Sequence, residues 1–252
     1  MMGSTTVPQI FSQPRRIARW QRALSLQQRP DAPDFVFRAM AEEIEDRLGF
    51  INHRMESALV IGDPTGVAVR TLDATAARID ARGPGTIDEE AEIEGGYDLI
   101  ASLGSLDTVN DVPGALLHMR EALAPGGIAI ASFLGAGSLP NLRRALLAAE
   151  PERPAARMHP MIDMRAAAAL LQRAGFARQV ADSFTLKVRY GSLLRLVEDL
   201  RAQALTNVLS SAPPSLPREA VARAQAAFLE RADQDERVIE PFEIITLTGW
   251  KS

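Results

Sequence analysis

A glycine-flanked turn is the first segment of this sequence whose residue types and spacing suggest chemistry. The apolar run 58–61 leads into the sequence GDPTG, from Gly62 to Gly66, and then into further apolar residues. Glycines in such a turn let backbone N–H groups approach the anionic part of a ligand closely. The alternative is a plain type I turn, because Asp, Pro and Gly occupy its preferred first, second and fourth positions. The local sequence leaves both interpretations open.

Composition and charge argue against several classes of function. The chain has 252 residues, 46% of them hydrophobic, which is enough for one sizeable core. Its 28 basic and 32 acidic residues give a net charge of −4, so we expect no nucleic-acid partner. No apolar segment reaches the roughly 20 residues that cross a bilayer, and the first residues lack the apolar region of a signal peptide. We therefore expect a cytoplasmic protein without a membrane span.

Cysteine and histidine content limits the metal and nucleophile chemistry to be expected. The sequence contains no cysteine, which rules out disulfides, thiolate nucleophiles and cysteine-ligated metals. Its three histidines, His53, His118 and His159, lie far apart in the sequence, and His118 and His159 are more typical of structural or surface positions than of ligands. We therefore expect no metal site.

Apolar periodicity predicts the elements that must position the turn. Residues 1–55 form a helical N-terminal segment, in which Phe37, Met40, Ile44 and Leu48 share one helical face. Residues 56–252 alternate strand and helix patterns, which is typical of a parallel sheet covered on both faces. We predict strands at 57–61, 75–80, 97–103 and 127–133, an antiparallel C-terminal strand FEIITLTGW, and a helical insertion at about 190–235.

Capping and breaking residues predict where several helices begin and end. Asn110 or Asp111 is the expected N-cap of a helix that the segment PGG at 125–127 stops. A second helix is predicted to open at Ser138. A third, from Met164 to Ala174, ends at Gly175, the residue type that most often follows a helix.

Several of these segments, in order and spacing, resemble one protein family. The segments are YDLIASLGSLDTVNDVPGALLHMREALAPGGIAIASFLG, LLQRAGF, VRY, DLRAQALTN and FEIITLTGW. They resemble Rossmann-like S-adenosylmethionine (SAM) methyltransferases, in the subgroup that includes the malonyl-ACP O-methyltransferases of biotin synthesis and a mitochondrial complex I assembly factor reported to hydroxylate arginine. The resemblance covers residues 11–250 and implies an α/β Rossmann-like fold with a mostly parallel sheet.

The same resemblance implies a cofactor site at the carboxyl ends of the first strands, where this fold binds its ligand. The family pattern after strand one is D-x-G-x-G-x-G, and this chain departs from it at Val60 and Pro64. Asp80, predicted to end strand two, matches the ribose-binding acid, and Asp88 matches an acid at the end of strand three, near the adenine; the connection between strands two and three is trimmed here. The implied cofactor positions are Gly62, Asp63, Gly66, Asp80, Asp88, Glu89, Ser102, Leu103 and Gly104.

Those acidic residues also have ordinary interpretations. Asp80 could be a simple strand-end carboxylate, and Asp88 to Glu90 could form a solvated acidic edge.

The acceptor side of the site is implied less specifically. Tyr190 and Arg201 match segments near the acceptor, although Arg201 could instead form a surface ion pair with Glu198 or Asp199. The family's His-Trp pair after strand four is replaced here by residues 107–108, Asp-Thr, and a family glycine is replaced by Ala204.

The resemblance implies SAM-dependent methyl transfer to a carboxylate or a protein side chain, with a small molecule or a protein as the acceptor. The alternative is a non-catalytic assembly or binding factor, for example for a respiratory-complex subunit. Arginine hydroxylation would need an oxidant, and the sequence suggests no ligand cluster for a metal.

Overall fold

A computed structural model of the chain describes residues 8–51, 55–152, 154–211 and 213–252. His53 lies outside the described residues. The described part of the N-terminal segment contains two helices, α1 at Gln13–Leu26 and α2 at Phe35–Ile51. All four residues assigned to the apolar face of α2 are buried, and α2 packs into the same core as the sheet.

A six-stranded sheet forms the centre of the fold, with the order β2-β1-β3-β4-β6-β5. The strands are β1 at Met55–Gly62, β2 at Ala76–Arg82, β3 at Tyr97–Leu103, β4 at Leu123–Leu134, β5 at Gln179–Tyr190 and β6 at Val238–Trp250. The strands β2, β1, β3 and β4 are parallel, and β6 runs antiparallel to both β4 and β5. This architecture confirms the predicted mostly parallel sheet and its antiparallel C-terminal strand.

The sheet is buried on both faces because its central strands are apolar at consecutive positions. Residues 58–61 of β1 are completely buried, and alternate members face two separate cores. One core contains α2, α3 at Val67–Leu72, α5 at Pro140–Ala149, α7 at Leu193–Ala202 and α8 at Arg218–Leu229. The other contains α4 at Val112–Ala122 and α6 at Met164–Ala174.

Two of the four predicted helix ends are confirmed, whereas α4 already ends at Ala122 and the segment PGG lies within β4. The Asp111 carboxylate caps α4 by accepting from the Gly114 N–H at 2.9 Å, whereas Asn110 binds the backbone of Phe11. Gly175 ends α6 with φ +75°.

The predicted opening of α5 at Ser138 is wrong. The helix begins at Pro140, after Leu139 with φ +59°, and the Ser138 hydroxyl instead donates to the Glu243 carbonyl. A carboxylate distant in sequence supplies the cap, because Glu240 accepts from the N–H groups of Asn141 and Leu142, each at 3.0 Å.

The segment between β2 and β3 contains no strand. Residues 83–96, all described, form turns with a single isolated bridge between Pro84 and Ile87. The strand three whose end Asp88 was expected to mark is therefore absent, and Asp88 lies in an exposed turn. At the other end of the chain, α7 and α8 lie between β5 and β6, where the helical insertion was predicted. Among the described residues, we find no helix of the length and apolarity needed to cross a membrane.

Candidate functional site

The turn after β1 lies at the carboxyl edge of the parallel strands and packs tightly against β3. Gly62 adopts φ +85°, and a Cβ at this position would lie 2.1 Å from the Leu103 carbonyl oxygen. The Asp63 N–H donates to the same carbonyl at 3.3 Å. Packing against β3 thus requires glycine at Gly62, whether or not a ligand binds the turn.

The Asp63 side chain stabilises this turn by accepting hydrogen bonds from the residues that follow it. Its carboxylate accepts from the Thr65 N–H at 3.0 Å, the Thr65 hydroxyl and the Ala68 N–H at 2.8 Å. Burial raises the pKa of Asp63, although these hydrogen bonds favour its charged form. The N–H of Gly66 donates to the Asp63 carbonyl at 3.4 Å, and Pro64 has no N–H. The donors that a Gly-rich loop offers an anion are therefore engaged inside the turn.

Helix α1 lies across the carboxyl edge next to this turn. The Trp20 indole covers Gly83, where a Cβ would come within 2.3 Å of the ring. Gly83 follows β2 directly, so Trp20 covers the place where a ribose-binding acid of this fold would be expected.

Arg16 of α1 forms a buried ion pair with Glu89, one of the predicted cofactor residues. The Arg16 Nη2–Glu89 Oε1 distance is 2.8 Å, and both side chains are at most 3% exposed. Ser105 donates a hydrogen bond to the same carboxylate, and the Arg16 Nε lies 3.3 Å from the Thr108 hydroxyl oxygen. Burial alone would raise the pKa of Glu89, but the charge and hydrogen bonds of Arg16 hold it below its usual range.

A second buried arginine connects α1 to the acceptor side of the fold. Arg19 donates to the Thr206 carbonyl at 2.7 Å and to the Thr108 hydroxyl at 3.2 Å, and burial lowers its pKa to about 10. Asp107 lies 3.6 Å from the Nε2 of His159, and both side chains are at most 5% exposed. The Asp-Thr pair that replaces the family's His-Trp is thus part of a buried polar layer.

Asp80 lies inside β2 and not at its end, because the strand continues to Arg82. It pairs with Leu59 of β1, three residues before the level of Gly62. The Tyr97 hydroxyl donates to its carboxylate at 2.7 Å, and the Asp80 side chain is 35% exposed. Asp80 is therefore accessible, but it is displaced from the edge at which the fold binds its ligand.

The remaining predicted cofactor positions lie at the end of β3. Ser102 and Leu103 are buried side chains within the strand. Gly104 has φ +60°, and a Cβ there would approach the Phe37 ring to 2.9 Å. The structure therefore brings Gly62, Leu103 and Gly104 together at the carboxyl edge, while Asp80 and Asp88 lie apart from them.

A cavity of about 580 Å³ lies between α5, α7 and α8, and we name it the leucine cavity. Its apolar wall includes Leu139, Leu142, Leu146, Leu193, Val197 and Leu216. Its polar wall includes Arg157, His159, Arg201, Thr206 and Asn207. Since Arg19 binds Thr206 and His159 adjoins Asp107, the polar wall lies beside the carboxyl edge of β3.

The two predicted acceptor residues differ in their placement. Arg201 lines the leucine cavity with an exposed side chain, and Asp199, its suggested partner, pairs with Arg195 at 3.1 Å. Tyr190 is 2% exposed and packs into the core at the end of β5, and it is not among the residues that line this cavity. Burial and the neighbouring Asp199 raise the pKa of Tyr190.

Sequence reasoning missed Arg16, Arg19, Arg157 and Asn207 as parts of the site. Arg16, Arg19 and Ala23 form the buried face of α1 at the spacing expected of apolar residues, but the two arginines made that face look solvated. Among the described residues, no group of three His, Cys, Asp or Glu side chains is arranged to hold a metal ion.

Ala204, which replaces a family glycine, keeps a conformation that favours glycine. Its φ is +53° and it is 4% exposed between α7 and the cavity wall. We expect Ala204→Gly to raise the free energy of unfolding by about 1 kcal/mol, because it removes the steric cost of the left-handed conformation. Urea denaturation measures this change. A loss of stability would show that the alanine methyl group contributes more by packing than its conformation costs.

The sheet order, the two helical layers and the turn after β1 define an α/β fold of the Rossmann-like methyltransferase type. A family model described as "Methyltransferase domain" matches residues 36–179, more than half of the chain. The protein belongs to this family of SAM-dependent methyltransferases.

Individual relatives agree with this assignment. The chain is 31% identical over 162 residues to the protein named "Arginine-hydroxylase NDUFAF5, mitochondrial" of Danio rerio, an alignment covering 63% of this chain and 50% of that protein. It is 29% identical over 154 residues to the malonyl-[acyl-carrier protein] O-methyltransferase of Xylella fastidiosa, covering 61% of this chain and 51% of the relative. The chain thus spans about half the length of these curated relatives.

Solved structures support the fold alone. The YcgJ protein of Bacillus subtilis superposes with a TM-score of 0.53 at 11% identity, covering 83% of this chain and 98% of YcgJ. Because this identity is low, the comparison carries no information about the ligand.

Proposed function

We propose that this protein is a SAM-dependent methyltransferase whose acceptor, a carboxylate or a protein side chain, occupies the leucine cavity. The main support for this proposal is the position of the cavity, whose polar wall adjoins the carboxyl edge of β3 in a chain of the methyltransferase family. In this fold the cofactor lies along that edge. We also propose that the protein acts in the cytoplasm.

The residues at the carboxyl edge fit the cofactor in part. Gly62 and Gly66 have the conformational freedom for close backbone approach, and Asp80, displaced from this edge along β2, offers an accessible carboxylate for a ribose. Glu89 and the donors of the turn are engaged with Arg16 and Asp63 and would have to be released. SAM supplies an electrophilic methyl group, and a carboxylate acceptor needs no general base, so the chain's task is to hold and orient the acceptor.

Titration calorimetry of the full chain with SAM and with S-adenosylhomocysteine tests the proposal. We expect binding of both in the micromolar range. The absence of a binding heat with either compound at millimolar concentration would contradict the proposal.

The second candidate is a non-catalytic assembly or binding factor that keeps the fold. It is favoured by the internally bonded turn and by the cover that α1 places over the edge. The partner of such a factor would be a protein, for example a respiratory-complex subunit. Silence toward SAM together with retained binding in the leucine cavity would support this candidate.

Restoring the family glycine tests the turn directly. Pro64→Gly adds one N–H at a position next to the engaged donors and should tighten SAM binding. Glycine also makes the unfolded chain more flexible, so the free energy of unfolding should fall by about 0.4–1 kcal/mol. Calorimetry and thermal unfolding measure the two effects. Lower stability without any gain in binding would identify the segment as a turn only.

Two measurements can distinguish ribose binding by Asp80 from its hydrogen bond with Tyr97. If Asp80 binds the ribose, Asp80→Ala should weaken SAM binding by about 1–3 kcal/mol. Burial, a hydrogen bond to Asp80 and its charge raise the pKa of Tyr97, so the substitution should also lower that pKa. The chain has only two tyrosines, so phenolate absorbance reports this shift. A lowered Tyr97 pKa with unchanged SAM affinity would assign Asp80 to the tyrosine alone.

A further inference from the structure

The leucine cavity has the volume and the lining of a site for an apolar group. Its volume of about 580 Å³ falls within the range of small-molecule sites, about 300–1,000 Å³. Leucines of α5 and α7, among them Leu142 and Leu200, form much of its apolar wall. At its rim, Leu194 and Val221 are 61% and 49% exposed, so an apolar surface continues from the cavity to the solvent.

The polar wall contains buried atoms without hydrogen-bond partners. His159 is 4% exposed, and neither ring nitrogen has a hydrogen-bond partner, since the distance to Asp107 is 3.6 Å. The Nη2 of Arg157 and the Oδ1 of Asn207 are also buried and unpartnered. Because such groups are costly to leave unpaired, their gathering in one cavity wall points to a polar group of a ligand.

Two arginines bring positive charge to this wall, and one of them, Arg157, is paired with Glu150. Arg157 has its Nε bound to Glu150 at 2.7 Å and its Nη1 to the Pro214 carbonyl at 3.0 Å, which fixes the guanidinium in place. Arg201 lines the same cavity, and among the described residues no ion pair involves its guanidinium. One fixed and one unpaired guanidinium favour a carboxylate over a neutral head group.

We propose that the leucine cavity binds a carboxylate that carries a long unbranched apolar chain, a fatty acid or an equivalent acyl group. The chain lies against the leucines and the carboxylate faces Arg157 and Arg201. The inference rests on the proposed function only in taking this cavity as the acceptor site. Binding measured without SAM therefore tests it separately from methyl transfer.

Calorimetric titration of the full chain with hexanoate, dodecanoate and dodecanol tests both parts of the ligand. Each buried methylene should improve affinity about three- to fourfold, so dodecanoate should bind at least about a hundredfold more tightly than hexanoate. Dodecanol, which lacks the charge, should bind about three- to tenfold more weakly than dodecanoate. Equal affinity for hexanoate and dodecanoate, or for dodecanol and dodecanoate, would overturn the proposal.

Two substitutions assign the binding to this cavity. Arg201→Gln, at an exposed position, should reduce dodecanoate affinity about three- to tenfold and leave dodecanol affinity unchanged. Arg165→Gln, also at an exposed position but on α6 at the opposite sheet face, is the matched control and should change neither. Val197→Phe fills part of the cavity and should weaken both ligands. Dodecanoate binding that survives Arg201→Gln and Val197→Phe unchanged would place the site elsewhere and refute the inference.

Discussion

Gly62→Ala is expected to destabilise the protein by about 2–5 kcal/mol, the sum of a left-handed backbone cost and overpacking. The added Cβ would lie 2.1 Å from the Leu103 carbonyl oxygen, a backbone atom that cannot move without shifting β3. The φ of +85° adds conformational strain for any residue with a Cβ. Chemical denaturation gives the free energy of unfolding.

Gly126→Ala is the matched control for this prediction. Gly126 also has a positive φ, +78°, but no atom lies within 4 Å of the place that an added Cβ would occupy. Its substitution should cost only about 1–2 kcal/mol, the backbone cost alone. Equal losses at Gly62 and Gly126 would contradict the view that contact with β3 requires the first glycine.

This pair of glycines explains why the turn was ambiguous in the sequence. A glycine that lets a ligand approach and a glycine that lets two strands pack look identical in one sequence. The contact of Gly62 with β3 and the bonds of Asp63 become visible only when β3 is placed beside β1. The residue types predicted the position of the turn. Whether its glycine serves a ligand or the packing of two strands depends on tertiary contacts.

The sheet was predictable because its signal is local. Continuous apolar runs such as 58–61 predict strands that are buried on both faces. The order of segments in the family predicts the antiparallel C-terminal strand. The end of β2 was placed two residues early, at Asp80 instead of Arg82, because every residue of this strand is half-buried or exposed and its sequence gives no clear boundary. That small error moved the expected ribose acid away from the sheet edge.

The candidate site was predicted less completely because it depends on contacts between distant segments. Arg16 and Glu89 are 73 positions apart, and their pairing leaves no periodic signal in the sequence. Asn207 and Arg157 are joined by a side-chain to backbone hydrogen bond across 50 positions. By contrast, Arg201 was found through a motif and does line the leucine cavity. Tyr190, found in the same way, instead packs in the core.

Removing one partner of the Arg16–Glu89 pair should have the other largest effect on stability. Glu89→Ala leaves the guanidinium of Arg16 buried without a carboxylate and should cost about 3–5 kcal/mol, as for other buried pairs. The double substitution Arg16→Met with Glu89→Leu removes both charges and should recover most of this loss, because apolar residues of similar size can replace a buried pair. Denaturation of the single and double variants measures the coupling between the two residues.

An exposed ion pair supplies the control for this last prediction. Asp235 pairs with Arg189 at 2.7 Å, but its side chain is 74% exposed, so Asp235→Ala should cost at most about 1 kcal/mol. Raising NaCl from about 0.05 M to about 1 M should abolish that small cost and leave the Glu89→Ala cost nearly unchanged, since counterions screen exposed charges far more than buried ones. Two results would contradict this prediction: a Glu89→Ala cost that disappears in salt, or a double variant as unstable as the single one. Either result would mean that other contacts hold α1 on the sheet edge. The contact of Trp20 with Gly83 would then be the next to test.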